Sequence, residues 1–238
     1  MNLSAMRFQP PAISGGIIII VGGYGSGKSE VSINLARYLV TSQSETTGPV
    51  SIVDLDIVNP YFRSREAAKE LEKLGITSVN PSGGQFYADL PIILPEIKGT
   101  IERREGTVVL DVGGDDAGSR VLGSLANAFE GAEYELLFVL NANRPFTATA
   151  EGCLKMMSEI ETASRLKFTG IISNTHLLEE TNEETILDGL RLSHRVSDET
   201  SLPVRFLSAL ENILDEIDPK LIDVPVLPLN RLLLKPWE

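Results

Sequence analysis

The sequence predicts a three-layer α/β fold, one mostly parallel sheet with helices on both faces. Three observations predict it. Apolar runs of strand length alternate with helical stretches along the 238 residues. The runs are apolar at successive positions, as strands covered on both faces require. The first run, Ile17-Ile18-Ile19-Ile20-Val21, passes through a glycine-rich loop straight into a helix. Strands are expected at 17–21, 50–54, 107–111, 134–140, 168–174 and 204–208, with helices at 28–41, 64–74, 119–130, 146–165 and 182–198. There is no internal repeat and no low-complexity tract. The expected organisation is an N-terminal extension, 1–16, followed by a single domain, 17–238.

The loop between the first strand and helix reads Gly22-Gly23-Tyr24-Gly25-Ser26-Gly27-Lys28-Ser29. It fits G-x-x-x-x-G-K-[ST], a phosphate-binding loop, with no position forced. The following helix carries Val31, Leu35 and Leu39 at spacings of four, so one side packs inward. A helix N-terminus offers N–H groups and the positive end of a dipole to an anion. Glycines let the backbone wrap close to phosphates. Lys28 is expected on the β- and γ-phosphates and Ser29 on Mg2+. The expected contact set is Gly22, Gly23, Tyr24, Gly25, Ser26, Gly27, Lys28, Ser29 and Glu30.

The second strand runs into Asp54-Leu55-Asp56-Ile57-Val58-Asn59-Pro60. Carboxylates two apart on a strand share a face. Near phosphates they can orient metal-bound or attacking water; away from them they belong to a surface turn. Residues 79–106 break the alternation. The segment is loop-like and then helical from Pro91 to Arg104, and suits a lid, a partner surface or a crossover connection. Thr107 to Val112 is a strand closing on Asp111, before Gly113 and Gly114. This looks like the second phosphate-site motif, Walker B. Asp111 is placed as a magnesium residue opposite Ser29, and Asp54 is a further metal candidate.

Composition narrows the function. The formal net charge is −12, from 21 basic and 33 acidic residues, which disfavours broad nucleic-acid binding. A single cysteine, Cys153, excludes an internal disulfide and a Cys-x-x-Cys metal site within one chain. The first 16 residues lack the apolar stretch of a signal peptide, and no run has the length of a membrane span, so a cytoplasmic location is expected. The tail Leu232-Leu233-Leu234-Lys235-Pro236-Trp237 is expected to dock on the body of the protein.

The phosphate loop, the Asp54/Asp56 segment and Asp111 to Gly114, in this order, resemble the MinD/ParA/CobQ-like ATPase family, within the SIMIBI class of P-loop NTPases. The resemblance covers most of the chain in topology and only these short motifs in sequence. It implies ATP and Mg2+ as cofactors, slow hydrolysis, a protein partner and a nucleotide-dependent homodimer. Asp54 or Asp56 would then place the water, with Lys28 as the third catalytic residue. Phe168 to Asn174 resembles the strand whose terminal Asn reads the base in that family; Asn174 either does this or caps the next turn. Thr175 and Leu177 stand where the Asn-Lys-x-Asp run of guanine-specific enzymes has Lys and Asp, which favours adenine. The family's second loop lysine is absent: Gly23 holds its position. Arg63, Arg65 and Arg144 are candidates to replace its charge, and His176 to line the base pocket. The fold also hosts ATP-dependent ligases and small-molecule kinases of the dethiobiotin synthetase and CobQ type. A non-catalytic ATP-binding subunit is the third reading.

Overall fold

A computed structural model describes residues 7–13, 16–42, 48–55, 71–79, 90–103, 105–114 and 116–231. Its strands are β1 (Ile17–Val21), β2 (Val50–Leu55), β3 (Thr77–Val79), β4 (Thr107–Val112), β5 (Tyr134–Leu140), β6 (Gly170–Ser173), β7 (Val204–Leu210) and β8 (Val226–Leu229). They form one eight-stranded sheet in the order β3-β2-β4-β1-β5-β6-β7-β8. Every pairing is parallel. The expected three-layer α/β fold is therefore present, with a sheet parallel throughout.

The helices are α1 (Lys28–Ser42), α2 (Leu90–Arg103), α3 (Asp116–Ser124), α4 (Ala150–Ser164), α5 (Glu183–Thr200) and the single turn α6 (Glu211–Leu214). Strand β1 explains the layering. All five of its residues are buried, and successive side chains point to opposite faces. Ile18 and Ile20 meet Val31, Leu35 and Leu39 of α1. Ile17, Ile19 and Val21 belong to the other face, with Ile97 and Ile101 of α2, Leu122 of α3 and Cys153 of α4. A third cluster joins Ile186 and Leu190 of α5 to Leu207 and Val226 at the far end of the sheet.

Three expectations are revised in detail. The helix expected over 146–165 begins as a 3-10 turn, Pro145–Thr147, and restarts at Ala150. There the Thr149 hydroxyl accepts from Gly152 N–H, capping α4. The helix expected over 119–130 starts at Asp116, stops at Ser124 and continues as a 3-10 turn over Ala126–Phe129. Helix α2 occupies the second half of the 79–106 segment and buries Ile97 and Ile101, so that half is a crossover built into the core. Asp56, Arg63, Arg65, most of the helix expected at 64–74, the first part of that segment and the tail from Leu232 lie outside the described residues.

Cys153 is fully buried, its thiol pushed up to about 12 by burial and directed at the Thr147 carbonyl. It serves as a small core hydrophobe. Among the described residues no helix is long and apolar enough to cross a membrane.

Candidate phosphate-binding site

In a parallel sheet all strands end on the same edge, so the loops after β1, β4, β5 and β6 begin there, as does the end of β2. The loop after β1 is the glycine-rich one. Its carbonyls are held by donors of the loop itself, of the following helix and of two other loops. Lys28 Nζ donates to Gly23 O at 3.1 Å, and Ser26 N–H to the same oxygen at 3.2 Å. Arg144 Nε donates to Gly25 O at 2.7 Å. Asn174 Nδ2 donates to Ser26 O at 2.7 Å. Val31 N–H donates to Gly27 O at 3.0 Å, the first helical bond of α1.

This has a direct consequence for the N–H groups. In a trans peptide the C=O and N–H point in opposite directions. With the carbonyl of Ser26 anchored outward by Asn174, the N–H of Gly27 is turned toward the loop's hollow, while the Ser26 N–H closes a turn on Gly23 O. Gly27 takes φ +88°, a left-handed conformation that a side chain resists. A Cβ there would also collide with the Asn174 amide nitrogen. The hollow and the N-terminus of α1 together form a nest of donors suited to an anion.

The carboxylates expected to hold magnesium come from two neighbouring strands. Asp54 of β2 and Asp111 of β4 are register partners, and Ile20 of β1 lies level with Asp111. Ile52, Val109 and Ile20 all pack on the α1 side of the sheet. Pleating therefore sends Asp54 and Asp111 to that side as well, toward the helix that carries Ser29. Asp111, Ser29 and Lys28 are buried and Asp54 is half-buried. Among the described residues no group of three or more His, Cys, Asp or Glu side chains gathers as a metal cluster. Two carboxylates and a hydroxyl fit Mg2+, which keeps water and phosphate oxygens as its remaining ligands.

The loop after β4 closes the site from that side. A Cβ on Gly114 would fall inside the contact radius of the Gly22 carbonyl oxygen and 2.9 Å from Lys28 Nζ. Only glycine brings this loop so close to the first one. Gly23, at the position of the absent lysine, faces α4: a Cβ there would lie 3.4 Å from Met156 Cε. Tyr24 projects from the loop, 72% exposed. Glu30 sits in the first turn of α1, where Asn34 Nδ2 bonds its carbonyl at 2.8 Å and its carboxylate at 3.4 Å. Asn34 also bonds the backbone of Asn230, tying α1 to the end of β8.

Asn174 lies 3% exposed at the end of β6, behind the loop. Its Oδ1 accepts from Ser208 Oγ at 2.9 Å while its amide nitrogen holds Ser26 O. The side chain is thus a strut between β7 and the phosphate loop, with one amide N–H left over. Of the three arginines named as candidates for the absent lysine's charge, Arg144 reaches the loop, and the other two lie outside the described residues. Asn141 accepts from Asn143 N–H at 2.9 Å, a tight Asx turn that carries the chain to Arg144.

His176 follows the strut, its Nε2 3.2 Å from where a Cβ on Gly27 would lie. Burial, then the positive charges of Arg144 and Arg231, push its imidazole down to about 4. Unfolded histidine titrates near 6.5. Between these values the unfolded chain takes up a proton that the folded chain refuses, so stability falls as pH drops from 6.5 toward 4. Replacing His176 with Gln is expected to remove on the order of 2 kcal/mol of that loss between pH 7 and pH 4.5. Urea midpoints of both proteins at the two pH values check it; parallel declines would contradict it.

No family model matches the chain, and no curated protein matches it in sequence. Solved structures do match in fold. Cell division protein FtsY from Thermotoga maritima superposes with a TM-score of 0.54 at 20% identity, covering 92% of this chain and 72% of that one. The signal recognition particle 54 kDa protein from Aeropyrum pernix, in complex with GDP, gives 0.54 at 19%, covering 88% and 45%. FlhF complexed with GMPPNP and Mg2+ gives 0.50 at 15%, covering 89% and 72%. The chain has the α/β fold of these structures, with its glycine loop, Ser29 and Asp111 on the same edge of the sheet.

Proposed function

We propose that this protein binds a nucleoside triphosphate with Mg2+, hydrolyses it slowly, and acts as a nucleotide-dependent switch for a protein partner. The observation that carries the reading is the anchored loop. The carbonyls of Gly25 and Ser26 are held from outside the loop, by Arg144 and Asn174, which turns the Gly27 N–H inward at the start of α1. Lys28 rests on Gly23 O and moves to the β- and γ-phosphates when they arrive. Ser29, Asp111 and Asp54 hold Mg2+, which supplies positive charge against the triphosphate. Asp54 or Asp56 orients the attacking water. Asn174 positions the loop and borders the nucleoside. The loop after β4, pressed on Gly22 through Gly114, is the element whose packing reports the phosphate state. Within the SIMIBI class the short motifs favour the MinD/ParA/CobQ-like branch and with it a nucleotide-dependent homodimer; a cytoplasmic location is part of the same proposal.

The proposed nucleotide is ATP, because Leu177 stands where guanine-specific enzymes carry Asp. One observation favours a second reading, GTP. A cavity of about 570 Å³ opens at the ends of β6, β7 and β8, edged by Leu178, Glu179, Glu211, Asn212, Asp215 and Arg231. Carboxylates accept hydrogen bonds from the N1 and N2 donors of guanine. GDP and GMPPNP also occupy two of the fold neighbours.

Phosphate release measured in parallel with MgATP and MgGTP tests the proposal. Slow turnover of ATP, at least tenfold above GTP and lost in Asp111→Asn, is the expected result. The reverse preference supports the second reading. Tight binding without any phosphate release supports a non-catalytic subunit and overturns the enzyme. A large rise in turnover with a small-molecule acceptor moves the assignment to the ligase or kinase class.

A further inference from the structure

We propose that Arg144 is the second cation of the phosphate loop, supplied from within the same chain in place of the lysine that position 23 lacks. The inference rests on the nucleotide-binding reading above and assigns the charge that reading leaves open. Arg144 lies 119 positions from Gly25 in sequence and donates Nε to its carbonyl at 2.7 Å. The guanidinium lies flat against the loop: a Cβ on Gly25 would be 3.0 Å from Nε, 3.1 Å from Cζ and 3.4 Å from Nη2. The placement is built rather than incidental. Thr147 Oγ1 donates to Asn141 O at 2.7 Å, and the N–H groups of Arg144 and Thr147 close successive turns on Asn141 O and Arg144 O. Thr175 Oγ1, buried, accepts from Ala142 N–H at 2.9 Å and pins the same turn to β6.

Two effects follow. The bond to Gly25 O fixes the Gly25–Ser26 peptide, whose N–H closes a turn on Gly23 O at 3.2 Å, and so holds the curvature of the loop. The fixed positive charge raises the affinity of the loop for a polyphosphate, and salt screens that part of the attraction. Arg144 is thus a positioning residue. Position 23 can then stay glycine, where a longer side chain would meet Met156.

The test compares wild type, Arg144→Gln and Arg144→Lys in equilibrium binding of ADP, ATP, GDP and GTP with Mg2+, at several salt concentrations. Arg144→Gln is expected to weaken the preferred di- and triphosphate at least tenfold and to flatten the fall of affinity with salt. Arg144→Lys keeps the charge and is expected to recover most of the affinity and the wild-type salt dependence. A thermal unfolding midpoint near that of wild type confirms that each variant is folded. Wild-type affinity in Arg144→Gln overturns the proposal, as does equal loss in both variants, which would mean that shape and not charge matters. Wild-type protein that binds none of the four nucleotides overturns this proposal and the nucleotide reading together.

Discussion

Replacing Lys28 with alanine is expected to lower phosphate release by about 100-fold or more, the loss seen when a preorganised charge at a developing oxyanion is removed. The expectation follows from where Lys28 sits. It opens α1, is buried, and bonds Gly23 O within its own loop. A carbonyl is a weaker partner for a buried ammonium than an anion, so an incoming phosphate offers it a better one. The alanine protein keeps the anchors from Arg144 and Asn174 and is expected to fold normally. Turnover unchanged in Lys28→Ala, with enzyme concentration verified, would remove the loop from the chemistry.

Gly114→Ala is expected to act on both binding and stability. The added methyl would overlap the Gly22 carbonyl oxygen and crowd Lys28 Nζ. The Lys28 ammonium can shift, but the Gly22 carbonyl cannot yield cheaply, because Gly22 is itself pressed against the β5 backbone at Val139. Overpacking of this kind costs about 1–3 kcal/mol. The loop after β4 would move off the phosphate loop and carry the end of β4, with Asp111, out of register with Ser29. The expected result is a lower urea midpoint and a larger loss of Mg2+-dependent binding than of Mg2+-independent binding. Equal losses with and without Mg2+ would show that the two loops do not act together.

The strands of the centre were legible because double-sided burial leaves continuous apolar runs, as in Ile17–Val21 and Tyr134–Leu140. The edges were not. Strand β3 has three residues, none fully buried, and β8 carries Pro228, which an edge strand tolerates and a central one does not. The phosphate loop was legible because its chemistry is contiguous. Its anchors were not: Arg144 and Asn174 reach it across 119 and 148 positions, and no local pattern encodes such contacts. Their only signal is position, just past the ends of β5 and β6 on the edge where a parallel sheet gathers its loops. The level pairing of Asp54 with Asp111 needed the strand order β2-β4, which periodicity alone does not supply.

The central claim is that the anchored loop binds a polyphosphate with Mg2+. The most direct measurement is calorimetric titration of the full chain with MgATP and with MgGTP, repeated with Lys28→Ala. The account predicts one saturable site per chain for at least one nucleotide, weakened at least tenfold in the variant and by chelation of the metal. No heat from either nucleotide at millimolar concentration, or identical isotherms for wild type and variant, would contradict it.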